Sequence, residues 1–67
     1  MNAITEYRTR EGKSRDDVAA LLDVDHATVW RWEKGELRIT AERAVEIERV
    51  LGIPRTVLRP DLFGDAT

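Results

Sequence analysis

Residues 15–35 read Arg15-Asp-Asp-Val-Ala-Ala-Leu-Leu-Asp-Val-Asp-His-Ala-Thr-Val-Trp-Arg-Trp-Glu-Lys-Gly35, and this stretch decides the fold. Ser14 just ahead of it and Asp17 three residues on make an S-x-x-D capping pattern that starts a helix. Val18, Ala19, Leu21 and Leu22 give that helix an apolar stripe, which ends at Asp23. Asp25 is the next N-cap and opens a second helix from His26 to Glu33, closed by Gly35. Only Asp23-Val24-Asp25 separates the two, so they must cross at a steep angle. Apolar groups then have to meet inside the corner, and Val18, Leu22, Val24, Val29 and Trp32 are placed to do so. Ala19 is small, as needed where the second helix crosses close to the first. Asp23 leaves the first helix where left-handed backbone angles are common, a conformation Asp tolerates better than most residues.

Outward from this pair the chain carries more helix signals and almost no strand signals. Ala3 to Glu11 places Ile4 and Tyr7 at i, i+3, with Asn2 as N-cap and Gly12 as stop. Thr40 starts another helix, with Glu42 in its first turn, Ala44, Ile47 and Leu51 on its apolar face and Gly52 ending it. Pro54 suits the first position of a short turn ending near Leu58, and Pro60 is expected to stop it. A strand reading survives only for Leu37–Thr40, which has no partner. The expected fold is all-α, a compact bundle of about five short helices over residues 1–63, with the two-helix motif at 15–33 and a flexible tail over 64–67.

The 67 residues allow one small domain with a thin core. No cysteine is present to form a disulfide or a thiolate metal site. No apolar run approaches the ~20 residues needed to cross a bilayer, and the N-terminus lacks a signal-peptide core. A soluble cytoplasmic protein with no membrane partner is expected. The net charge of −2 argues against indiscriminate coating of nucleic acid. Any nucleic-acid role must come from local placement of positive charge.

The 15–35 stretch resembles the helix-turn-helix of Cro/CI-type, lambda-repressor-like DNA-binding proteins, and its ending Trp32-Glu33-Lys34-Gly35 is especially characteristic of them. Downstream, Thr40-Ala-Glu-Arg-Ala-Val-Glu-Ile-Glu48 and Leu58-Arg-Pro-Asp-Leu-Phe63 resemble a narrower group of prophage-encoded, YdaS-like antitoxin or Cro-type regulators. The match covers about residues 3–63. It departs at Asp23, where a turn glycine is usual, and at Lys13, where an apolar residue is usual. The resemblance implies that the second helix enters the DNA major groove with its N-terminal half on base edges. On this chain that side carries Asp25, His26, Ala27, Trp30 and Arg31. Arg31 can donate twice to a guanine edge, and His26 can donate to a purine acceptor or a phosphate. Ala27 and Trp30 offer apolar surface to thymine methyl groups, while Asp25 can accept from a cytosine amino group. Arg15, Thr28, Lys34 and Arg38 are placed by the resemblance on phosphates. It also implies a bacterial or phage-encoded repressor on a pseudopalindromic double-stranded operator, a homodimer at least on DNA, and a toxin as a further candidate partner.

Plainer readings stand beside these. Trp32 reads as core. Trp30 lies ~200° around the helix from it and cannot be buried on the same face, so it is either a contact surface or packed sideways on Tyr7 or an arginine. Arg31 is alternatively a solvated charge paired with an acid. Asp23, Asp25 and His26 do not converge like metal ligands. Glu48 near the apolar face is either paired with Arg55 or Arg59 or a simple exposed glutamate. Leu62 and Phe63 either fold back onto the core or cross to a second subunit. The competing function is a protein-interaction module that neutralises a toxin or contacts a polymerase. An enzyme is not expected, because the lone His sits on a short exposed helix and little volume exists for a pocket; no cofactor or metal is implied.

Overall fold

Each of the first four helices starts on a side chain that accepts a backbone N–H, and these caps set the element boundaries. The computed structural model describes residues 2–64. The Asn2 carboxamide oxygen takes the Ile4 N–H at 2.7 Å and opens α1, Ala3–Glu11. Ser14 and Asp17 form a reciprocal box, with Asp17 N–H to Ser14 Oγ at 3.0 Å and Ser14 N–H to Asp17 Oδ2 at 2.9 Å, opening α2, Arg15–Leu22. Asp25 takes the Thr28 N–H at 2.9 Å for α3, His26–Lys34. Thr40 takes the Arg43 N–H at 3.1 Å for α4, Ala41–Leu51. Caps of this kind contribute roughly 1 kcal/mol each, a meaningful amount in so small a domain.

The corner between α2 and α3 is built as the spacing requires. Asp23 stands at φ 57° and ψ 44°, the left-handed conformation, and its N–H reaches back to the carbonyls of Ala19 and Ala20. That reversal sends the chain directly into the Asp25 cap. Val18, Ala19, Leu22, Val29 and Trp32 are all buried at the crossing, with Val24 packed against them. Ile4 and Tyr7 of α1 and Ala44, Ile47 and Leu51 of α4 complete one continuous core. Leu21 corrects the expected stripe. It is 48% exposed, because one α-helical face cannot turn both it and Leu22 inward.

Residues 36–40 form no strand: the Glu36 and Leu37 N–H groups turn back to the Arg31 carbonyl, and Ile39 anchors the link by burying its side chain in the core. Beyond α4, Ile53 is buried, and α5, Arg55–Leu58, turns over it with Pro54 as its N-cap residue. Pro60 does end α5, but it also opens a further turn, α6, Pro60–Phe63, so the described residues hold six helices and no strand. Proline at the first helical position loses no hydrogen bond, which is why a stop can serve as a start. Arg59 clamps the junction. Its Nη1 donates to the Ile39 carbonyl at 2.5 Å, while Nε and Nη2 donate to the two Asp61 oxygens at 2.9 and 2.6 Å. The Arg59 guanidinium holds the Asp61 carboxyl down at about 2, so the clamp persists far into acid. Phe63 folds back against the core under the Arg55 guanidinium, 5.2 Å from the ring centre, whereas Leu62 is left 51% exposed. Arg55 also meets Glu48 at 3.6 Å, one of the two partners foreseen for that acid. The tail expected over 64–67 lies, past Gly64, outside the described residues.

Asp23 carries both a left-handed backbone and a negative charge at a helix C-terminus, each unfavourable. Asp23→Gly is expected to stabilise the domain by about 0.5–1 kcal/mol, read as a higher urea midpoint with unchanged slope. A lower midpoint would show that the Asp23 side chain contributes more than its backbone costs.

Candidate nucleic-acid interface

Helix α3 has two unlike sides. Val29, fully buried, and Trp32, 4% exposed, face the core, whereas Asp25, His26, Ala27, Trp30, Arg31 and Lys34 lie exposed. The expected base-reading set is therefore brought together on one outward surface at the start and middle of α3. Among the described residues Arg31 makes no ion pair, so its planar fork of donors is uncommitted. The Lys34 ammonium sits 5.8 Å from the centre of the Trp30 ring, one turn along the helix. The cation over Trp30 is thus a lysine rather than an arginine, and the one over Tyr7 is Arg10, at 5.7 Å. Cation–π contact of this kind contributes about 0.5–1 kcal/mol at an exposed site, a modest bias on the indole.

The remaining expected contacts are partly committed within the protein. Thr28 is half-buried, and its hydroxyl donates to Asp25 Oδ1 at 2.5 Å beside its own N–H. The Thr28 hydroxyl and amide hold the Asp25 carboxyl below its ordinary range, so Asp25 is first of all a cap. His26 gives Nδ1 to Asp16 Oδ1 at 2.7 Å, tying the first turn of α3 to the first turn of α2. Arg15 donates through Nε to Glu33 Oε2 at 3.2 Å and is only partly open to solvent. Arg38 is 78% exposed and lies 4.0 Å from Asp61.

Two residues that organise this surface are not evident from spacing. Glu33 has a side chain only 3% exposed, and it accepts from Thr5 Oγ1 at 2.6 Å, from Arg8 Nε and Nη2 at 3.0 and 2.8 Å, and from Arg15. Burial pushes its carboxyl up, but the hydrogen bonds from Arg8 and Thr5 and the charges of Arg8 and Arg15 outweigh this and hold it below its ordinary value. An acid in the last turn of a helix opposes the helix dipole, and that conflict is the sequence signal for an external cation. Asp16 is the other. With Asp17 serving the capping box, the second acid of the α2 first turn is left for a different partner. Asn2 adds a third tie, donating to the Trp32 carbonyl at 3.1 Å.

Among the described residues no group of three or more potential ligand side chains is gathered as for a metal ion, and no helix is long and apolar enough to cross a membrane. A family model described as helix-turn-helix matches residues 4–58, which takes in α1 to α5. No curated protein and no solved structure matches the chain.

Removing one partner of a buried ion pair costs about 3–5 kcal/mol, and the partial exposure of Arg8 and Arg15 together with a retained amide brings Glu33→Gln to about 2 kcal/mol. The folded-state carboxyl lies below its ordinary 4.5, so this contribution is complete above that pH and is lost as the pH falls through the folded value. The difference between the two proteins in urea melts should therefore be widest near neutrality and shrink in acid below 4.5. A difference that is absent at neutral pH, or that grows in acid, contradicts the role given to Glu33.

Proposed function

The chain belongs to the Cro/CI-type helix-turn-helix family of DNA-binding regulators, and we propose that it is a sequence-specific repressor, Cro-like or antitoxin-type, that reads the major groove with α3. The observation that supports this reading is the division of α3 itself. Its apolar side is consumed by the corner with α2, while an uncommitted arginine, an exposed indole and a small alanine share the outward side.

Arg31 pairs two of its N–H groups with the O6 and N7 of a guanine, a contact worth roughly 1–3 kcal/mol of discrimination. Ala27 and the Trp30 ring edge meet thymine methyl groups. Lys34, Arg38 and the free N–H groups of Arg15 hold the flanking phosphates, the Thr28 hydroxyl joins them by turning its proton from Asp25 to a phosphate oxygen, and Asp25 sets the start of the helix. The molecule measures 36 × 22 × 21 Å, so two copies fit side by side on half-sites roughly 34–36 Å apart. Those dimensions are compatible with the proposed homodimer on a pseudopalindromic operator.

Selection of duplexes from a random pool should return such a site, with affinity falling as salt rises at a log–log slope of about −0.9 per phosphate neutralised. Arg31→Ala should relax the preference at one operator position by about ten-fold or more, whereas Lys34→Ala should weaken all duplexes alike and flatten the salt slope by about one contact. Equal losses on every sequence for both variants would make Arg31 a phosphate contact only. Stable capture of a protein with no salt-dependent duplex binding would replace the reading with that of an interaction module.

A further inference from the structure

Asp16 places a carboxylate, 80% exposed, beside the first residue of the helix proposed to enter the groove. A negative charge there repels phosphates, although the first turn of α2 suits an acid through the helix dipole. Asp17 serves the capping box, and Asp16 meets the ring of His26. Asp16 Oδ1 lies 2.7 Å from Nδ1, and an ionised carboxylate can only accept, so Nδ1 must carry the proton. The nearer acid in sequence, Asp25, turns its Oδ1 to the amide and hydroxyl of Thr28, and the ring hydrogen-bonds to Asp16 instead.

We propose that Asp16 locks the neutral His26 imidazole in its Nδ1–H tautomer, so that Nε2 accepts a hydrogen bond from the exocyclic amino group of an adenine or cytosine in the major groove. The inference rests on the DNA-binding reading above and adds a polarity to it. With Nδ1–H committed to Asp16, the outward nitrogen of the neutral ring has a lone pair and no proton. It is therefore mismatched to guanine N7 and O6 and to thymine O4, all of them acceptors, and matched to adenine N6 and cytosine N4, the amino donors of the major groove. This reverses the donor role expected of His26 from sequence alone. Asp16 is a positioning residue in this scheme: it touches the histidine, not the base.

Two measurements on the full chain test it. The first is the nitrogen-15 spectrum of the His26 ring in alkaline buffer without DNA, for the wild type and for Asp16→Ala, a change at an exposed helical position that leaves the core untouched. The wild type should show a protonated Nδ1 and an unprotonated Nε2, and the variant should shift toward the Nε2–H form. The second is duplex selection with both proteins in the same buffer. The wild type should favour adenine or cytosine over guanine and thymine by about five- to ten-fold at one position of each half-site, and His26→Ala should abolish that preference. Asp16→Ala should let guanine and thymine in at that position alone, even as loss of the negative charge tightens binding to every duplex. An Nε2–H ring in the wild type, or an unchanged base preference in Asp16→Ala, overturns the inference and leaves the DNA-binding reading standing. Failure of the wild type to enrich any duplex overturns both.

Discussion

The Glu33 carboxylate gathers three helices at one point. It belongs to α3, and it is held by Thr5 and Arg8 from α1 and by Arg15 from α2. Two forces oppose an ionised carboxylate there, burial and the negative end of its own helix dipole. Two guanidinium groups and a hydroxyl overcome both, and they can do so only with all three helices in place. The last turn of α3 is thereby fixed in the fold, as its first turn is fixed by the Asp25 cap and the His26–Asp16 contact. A helix of nine residues spans roughly 13 Å, and pinning both ends makes it a stiff element on which side chains hold their register.

A domain this small cannot rely on its core alone. Four side-chain caps, the Arg59 clamp on Ile39 and Asp61, and the Glu33 cluster add directional bonds around a single cluster of apolar side chains. These bonds also decide which charges are left for a partner. Arg8 and Arg59 are spent on the fold, and Arg15 partly so, while Arg31 and Lys34 remain on the outward side of α3. That sorting is how a chain with a net charge of −2 presents a surface suited to an anionic duplex.

Much of the fold was legible because its determinants are local. Asn2, Ser14 with Asp17, Asp25 and Thr40 bond to amides two or three residues away, so their roles can be read from spacing. The Asp23 reversal and the apolar corner follow from the shortness of the turn. Glu48 with Arg55 was also within reach, since both flank the Gly52 turn. Pro60 misled as a plain stop because the same residue suits a helix start, and only the Arg59 clamp, twenty residues from Ile39, decides between the two. Glu33 was hidden for a similar reason, with partners 18 to 28 residues away in sequence. The outward set on α3 came from the register of the motif, but the commitment of His26 to Asp16 needed the angle between α2 and α3.

In the proposed function the outward side of α3, flanked by Arg15 and Arg38, meets duplex DNA, and the rest of the fold holds it in place. Titration of the nitrogen-15-labelled chain with a selected duplex, followed residue by residue, examines this most directly. The large shifts should cluster from Asp25 to Arg38 with Arg15, and α4 to α6 should stay quiet apart from effects of pairing two copies. Shifts centred on α4 to α6 with an undisturbed His26 and Arg31 would contradict it.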